Sequence, residues 1–321
     1  MERQCGRDRL RRSSDASLDS HRVSDDGSVN AAPRIFDRAL YARRRARAAR
    51  MEADRFLLTE AAEQLAERLS AVQRRFQHGL ELSSRAQSAA ILAPYAENWT
   101  RSRLATEEGG GPVVDEEALP YAPESFDLVV SVLSLHAVND LPGALIQIRR
   151  VLKPDGLFLA ALFGGETLHE LREAFIAGET AMHGGVSPHV APFADVRALG
   201  GLLQRAGFAL PVADNERLTV HYRQFATLAA DLRALGETNA LTQRSTQPLR
   251  RDVLAASLAH YAAAHGDSEG RFRATFDVIT LTGWAPHESQ QQPLKPGSAK
   301  MRLADALRAA GKPEGGQSGR A

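Results

Sequence analysis

Between residues 126 and 163 the chain hides its apolar side chains in two different ways. The run FDLVVSVL, residues 126–133, is apolar with little interruption, which suits a parallel strand covered on both faces. Beyond it, apolar residues recur at Leu141, Ala144, Leu145, Ile148 and Leu152, one face of a helix at 3.6-residue spacing. Gln147, Arg149, Arg150 and Lys153 fall mostly on the other face, with the cations toward the negative end of the helix dipole. Asn139 and Asp140 supply cap oxygens and Pro142 fits the first turn, while Pro154, Asp155 and Gly156 stop the helix. Residues 157–163, LFLAALF, make a second buried strand. Strand, helix and parallel strand form a right-handed crossover. The fold class is therefore α/β, a doubly wound and mostly parallel sheet with helices on both faces. Such sheets bind ligands at the carboxyl ends of their strands, which here fall at residues 115–118, 134–136 and 163–166.

The rest of the chain is organised around this block. Helices are expected at 36–50, 84–97, 166–182 and 195–206, with helical inserts at 224–235 and 250–264. A weak strand is expected at 99–105, a short one in GPVV at 111–114, and closing antiparallel strands at 218–222 and 276–281. Residues 183–194 are a Gly/Pro-rich loop. Residues 1–33 are polar and poor in apolar groups, so they read as a disordered tail, and 308–321 read the same way. Asp8, Asp15, Asp19, Asp25 and Asp26 argue against a transit peptide, which avoids acids. Residues 34–307 then form one domain without internal repeats.

At 321 residues and 43% apolar content, the chain can bury one large core. A net charge of +1 gives no general pull toward nucleic acid. The single cysteine, Cys5, excludes an internal disulfide or a cysteine zinc cluster. No apolar run approaches the roughly 20 residues of a membrane span. Lysine occurs only at Lys153, Lys295, Lys300 and Lys312; this preference for arginine suits a GC-rich bacterial genome, and a cytoplasmic location is expected. Arg43, Arg44, Arg45, Arg47 and Arg50 form a basic run that reads as a solvated helix face, or as a docking face for an acidic partner or an anionic inner-membrane surface. No Walker loop or GxGxxG is present.

The acidic pair Asp115–Glu116, the FDLVVS strand and the LKPDG turn resemble class I S-adenosylmethionine (SAM) methyltransferases of the type 11, Rossmann-like kind. The phrases DEEALPYAPESFDLVVSVLSLHAVNDLPGAL, LKPDGLFLAALFGGETLHELR, GGVSPHVAPF, LLQRAGF and GWAPHESQQQPLKPGSA are more specific. With RIFDRALYARRRARA, they resemble the mitochondrial complex I assembly factor 5 family and its bacterial relatives. The resemblance runs in order over residues 33–307, with a weak zone at 76–112. It implies a methyltransferase-type fold, SAM or a related cofactor, and a protein substrate that is a subunit of complex I. It also implies modification of an arginine, which in the mitochondrial member is hydroxylation rather than methyl transfer.

The resemblance places cofactor contacts at Gly79, Glu81, Ser83, Asp115, Glu116 and Ser134, with the acidic pair facing the adenine. One departure stands out. Family members carry a glycine loop after the first strand so that backbone can pass close to the methionine moiety, and here Ser83, Arg85 and Gln87 stand at the glycine positions. The acid that grips the ribose has only Glu97, Glu107 and Glu108 as candidates. His136, just past the buried strand, is a candidate general base or a structural histidine. His189 in VSPHVAP, and His287 with Glu288 in PHES, are candidates for binding a substrate peptide or for holding loops together. Their spacing lacks the HxD or HxxxH form, so no metal site is expected. Three readings stay open: a side-chain-modifying enzyme, a non-catalytic assembly factor, and a small-molecule methyltransferase.

Overall fold

The computed structural model describes residues 34–105 and 111–290. The expectations for residues 1–33 and 308–321, for Cys5, and for Glu107 and Glu108 lie outside them.

The sheet has six strands in the order β2-β1-β3-β4-β6-β5: β1 (Phe76–Leu82), β2 (Ala96–Arg101), β3 (Phe126–Val132), β4 (Leu152–Phe163), β5 (Ala209–Tyr222) and β6 (Phe272–Trp284). The first four are parallel. β6 runs antiparallel to both β4 and β5. All seven residues of β3 are buried, and the two-residue period of a strand sends Leu128, Val130 and Val132 into one core and Val129 into the other. The first core packs under α2 (Phe56–Ala71) through Leu58 and Leu65. The second packs under α4 (Leu141–Val151) and α6 (Val196–Arg205) through Leu145, Ile148, Leu199 and Leu203. Asp140 and Asp195 cap these two helices, accepting from Gly143 and Ala198 amides at 2.8 Å each.

Several boundaries differ from the sequence expectation. α2 has no counterpart in it, although Leu57, Leu58, Ala61, Ala62, Leu65 and Leu69 lie on the buried side of this helix. α3 is short, Ala86–Leu92, and runs into a 3-10 turn at Ala93–Tyr95, so β2 starts at Ala96 rather than Trp99. GPVV forms no strand; its Val113 makes one isolated bridge to Arg103. β5 is 14 residues long, because its exposed first half pairs with β6 at the sheet edge, where apolar content is not required. The remaining helices are α5 (His169–His183), α7 (Phe225–Leu235) and α8 (Arg251–His265).

One element reaches over the carboxyl ends of the strands. The segment before α1 (Arg38–Ala49) is pinned by the Phe36 amide to Asn139 Oδ1 at 2.8 Å and by the Asp37 amide to the Ala240 carbonyl at 2.8 Å. No helix among the described residues is long and apolar enough to cross a membrane.

Candidate active site

The loop after β1 keeps the backbone shape of a glycine turn without the glycine. Ser83 has φ 49°, a left-handed conformation that glycine adopts without penalty and serine does not. Its hydroxyl donates to Glu116 Oε1, as does Ser134 Oγ at 2.9 Å. Arg38 closes the other face of this carboxylate: its Nη2 donates to Glu116 Oε2 and lies 3.1 Å from Asp115 Oδ1, while its Nη1 donates to the Ala137 carbonyl at 3.0 Å. Burial pushes the Glu116 pKa up, but Arg38 and the two serine hydroxyls outweigh it and hold the pKa below the ordinary carboxylate range. Glu81 sits at the end of β1, bonded to Ser88 Oγ at 2.5 Å and to Arg101 Nε at 3.3 Å; burial raises its pKa despite these partners.

Arg85 follows this loop and turns inward. Its Nη2 donates to the Leu133 carbonyl at 2.9 Å and lies 3.5 Å from Glu237 Oε1. Arg45, buried on α1, donates to the Ser83 carbonyl at 3.2 Å. The basic run is thus not one solvated face: Arg45 points into the protein and Arg44 donates to the Asn239 carbonyl.

Glu237 joins this region to a neighbouring cavity. It follows α7, which stops at Gly236 in the left-handed region with φ 85°; a side chain there would place its Cβ 2.8 Å from Arg45 Cδ. Glu237 Oε1 accepts from Tyr41 Oη at 2.7 Å, and Oε2 lies 3.0 Å from His136 Nε2. Burial works to raise the Glu237 pKa, but His136, Arg85 and Arg45 lower it to about 2. Burial is also the main reason the Tyr41 pKa is raised. The cavity, of about 180 Å³, is lined by Glu237, His136, Tyr41, Phe163, Phe193 and Phe276, among others. The His136 ring lies 4.9 Å from that of Phe163 and 5.5 Å from that of Phe193. Its Nδ1 is buried and has no hydrogen-bond partner.

His189 also lines this cavity. It stacks on Phe175 at 4.0 Å and bonds through Nε2 to Glu179 Oε1 at 2.8 Å. Burial works to raise the Glu179 pKa, while His189 and Ser187 bring it below the ordinary carboxylate range. His287 and Glu288 do not join this group. They follow Trp284, which pairs with Leu157 near the amino end of β4, so they lie toward the opposite end of the strands. There the His287 Nδ1 contacts its neighbour Ser289, at 2.8 Å. Gly79, expected as a cofactor contact, has a different setting from the loop. It lies in mid-β1, opposite Trp99, where a Cβ would come within 2.8 Å of the indole; its lack of a side chain serves packing. Among the described residues, no three His, Cys, Asp or Glu are grouped to hold a metal ion. Nothing in the sequence marked Arg38, Tyr41 or Glu237 as site residues; Arg45 was visible only as part of the basic run, and Arg85 only as one of three departures at glycine positions.

Comparison with known proteins bears on this site. A methyltransferase domain family (Methyltransf_11) matches residues 92–160. The human protein named arginine-hydroxylase NDUFAF5, mitochondrial, is 40% identical over 301 residues, covering 88% of this chain and 86% of its own length. The chain belongs to the NDUFAF5 family. The zebrafish (Danio rerio) member is 44% identical over 193 residues, 60% of each chain. A malonyl-[acyl-carrier protein] O-methyltransferase of Xylella fastidiosa is 36% identical over 172 residues, 54% of this chain and 56% of that protein. Among solved structures, a putative methyltransferase from Bacillus halodurans has a TM-score of 0.45 at 13% identity, covering 70% of this chain and 98% of its own. The sheet order and the family membership together give a class I methyltransferase-like fold.

That fold implies SAM, and the residues of this NDUFAF5-family chain do not fit it. Arg85 lies beneath the loop where glycines would leave room, and both Glu116 oxygens are taken by Ser83, Ser134 and Arg38. Arg38 also engages Asp115, so the acids that would meet the adenosine face a guanidinium of the same chain.

Proposed function

We propose that this protein hydroxylates an arginine side chain of a partner protein, the partner being a subunit of complex I. The observation that carries this reading is Glu237: an ionised carboxylate in the wall of an aromatic-lined cavity at the carboxyl ends of the strands. A guanidinium is the side chain such a wall suits, because carboxylate and ring faces both attract it. The relatives' name, arginine-hydroxylase, points the same way.

In this reading the Phe163, Phe193 and Phe276 rings exclude water from the bound side chain. Glu237, already held by Tyr41, His136 and Arg85, supplies the negative charge that the guanidinium faces across the cavity wall, and His136, whose buried Nδ1 has no partner, is the group placed to accept or return a proton. Hydroxylation replaces a C–H bond by C–OH. The oxygen comes from dioxygen, whose second atom leaves as water after taking two electrons and two protons from a two-electron donor. His189, held by Glu179, lines the same cavity and contacts the peptide.

The test is mass spectrometry of complex I subunits from cells with and without the protein. The expected result is an arginine peptide that gains one oxygen only when the protein is present, and loses that gain with Glu237→Gln. A second reading, a non-catalytic factor that grips the subunit, is favoured by the arginine-filled loop; it holds if complex I assembles normally with Glu237→Gln and no peptide gains oxygen.

A further inference from the structure

We infer that Arg38 and Arg85 have taken over the cofactor site of the fold, so that the chain holds its own guanidinium groups where a methyl-donor nucleoside would lie. This does not depend on whether arginine is the substrate. It rests on three observations at the carboxyl ends of β1 and β3.

First, the acids there are already engaged. Glu116, almost fully buried, is met by Arg38, Ser83 and Ser134, and Asp115 gives Oδ1 both to Arg38 and to the Glu117 amide at 3.1 Å each. A nucleoside arriving with hydroxyl and amino donors would have to displace charge-assisted bonds, which are about twice as strong as neutral ones. Second, the loop is closed from beneath. Arg85 bonds the Leu133 carbonyl and pairs with Glu237, and Arg45 bonds the Ser83 carbonyl. The loop backbone that would approach a ligand is therefore tied to α1. Third, the element carrying Arg38 is itself fixed, by Phe36 to Asn139 and Asp37 to Ala240. The guanidinium is thus delivered by a docked segment rather than by a free surface side chain.

The proposal has a direct test on the full-length chain. Titration calorimetry with SAM and S-adenosylhomocysteine should give no heat of binding up to millimolar ligand. Arg38→Ala should lower the melting temperature, and millimolar methylguanidinium should restore part of that loss in the variant while leaving the wild type unchanged; SAM should restore none of it. Micromolar SAM binding by the wild type overturns the inference, and so does an Arg38→Ala protein whose melting temperature does not respond to methylguanidinium. Should Arg38→Ala fail to fold, Arg38→Lys decides. It keeps the charge but loses the planar fork, so a lowered melting temperature supports the guanidinium site and an unchanged one overturns it.

Discussion

His136 and Glu237 stand 101 positions apart in the chain and meet at 3.0 Å, imidazole Nε2 to carboxylate Oε2. The other carboxylate oxygen accepts from Tyr41 and faces Arg85. One side chain therefore links the turn after β3, the first helix, the loop after β1 and the segment after α7.

Glu237→Gln removes the charge that His136 and Arg85 face while keeping the shape. Breaking a buried pair from one side leaves an uncompensated charge and costs about 3–5 kcal/mol. Urea denaturation should show a loss in that range, with an unchanged m-value. A loss below ~1 kcal/mol would mean that solvent, not Glu237, balances the cations.

The same carboxylate sets the acid limit of stability. Its pKa is about 2 in the folded protein, against roughly 4.3 in an unfolded chain. A depressed carboxylate contributes stability that is complete above the unfolded value and is lost as pH falls through the folded one. Glu116 and Glu179 are shifted in the same direction. Stability measured by denaturation should therefore fall as pH drops from about 5 toward 2, with Glu237 alone contributing on the order of 3 kcal/mol. In Glu237→Gln this fall should be shallower.

Gly236→Ala puts a Cβ against Arg45 and asks alanine to hold φ 85°. The left-handed conformation alone costs about 1 kcal/mol, and displacing Arg45 adds to it. Gly270→Ala is the control: its φ is 71° but nothing lies near the added methyl. The melting temperature of Gly236→Ala should fall clearly further than that of Gly270→Ala.

His287→Ala should change stability by no more than ~0.5 kcal/mol, as an exposed substitution remote from the cavity does, and should leave the proposed arginine modification intact. His189→Ala removes the ring stacked on Phe175 and the partner of Glu179, and should reduce that modification. Equal losses from the two variants would return His287 to the functional site.

Much of the sheet was legible because β3, α4 and the end of β4 follow simple periodicities: unbroken apolar residues for a strand covered twice, and a 3.6-residue stripe for a helix covered once. β5 was legible only over its last residues, since an edge strand with an exposed first half carries no continuous apolar signal. The site divides in the same way. Ser134 and His136 were singled out because they follow β3, a recognisable strand, whereas Asp115 and Glu116 follow a segment that forms no strand and were singled out by the resemblance. Glu237 could not be found, since it comes after an ordinary helix-ending glycine and its meaning depends on contacts with residues near 41, 85 and 136. The inward turn of Arg45 was likewise hidden, because a dense arginine run reads as solvated until the packing of the helix is known.

Tyr41 and Glu237 are separated by 196 positions, and the Asp37 amide bonds the Ala240 carbonyl. During synthesis, which proceeds from the N-terminus, α1 leaves the ribosome early; its bonds to Ser83, Glu116 and Asn139 can form once β3 and the turn after it are made, but those of Asp37 and Tyr41 wait for residues 237–240. The parallel strands β1, β3 and β4 can pair before then. Until then the early segment is held on one side only, so ribosome-stalled chains ending before residue 237 should leave residues 34–50 cleaved by protease faster than in the complete chain, although the strands are already protected.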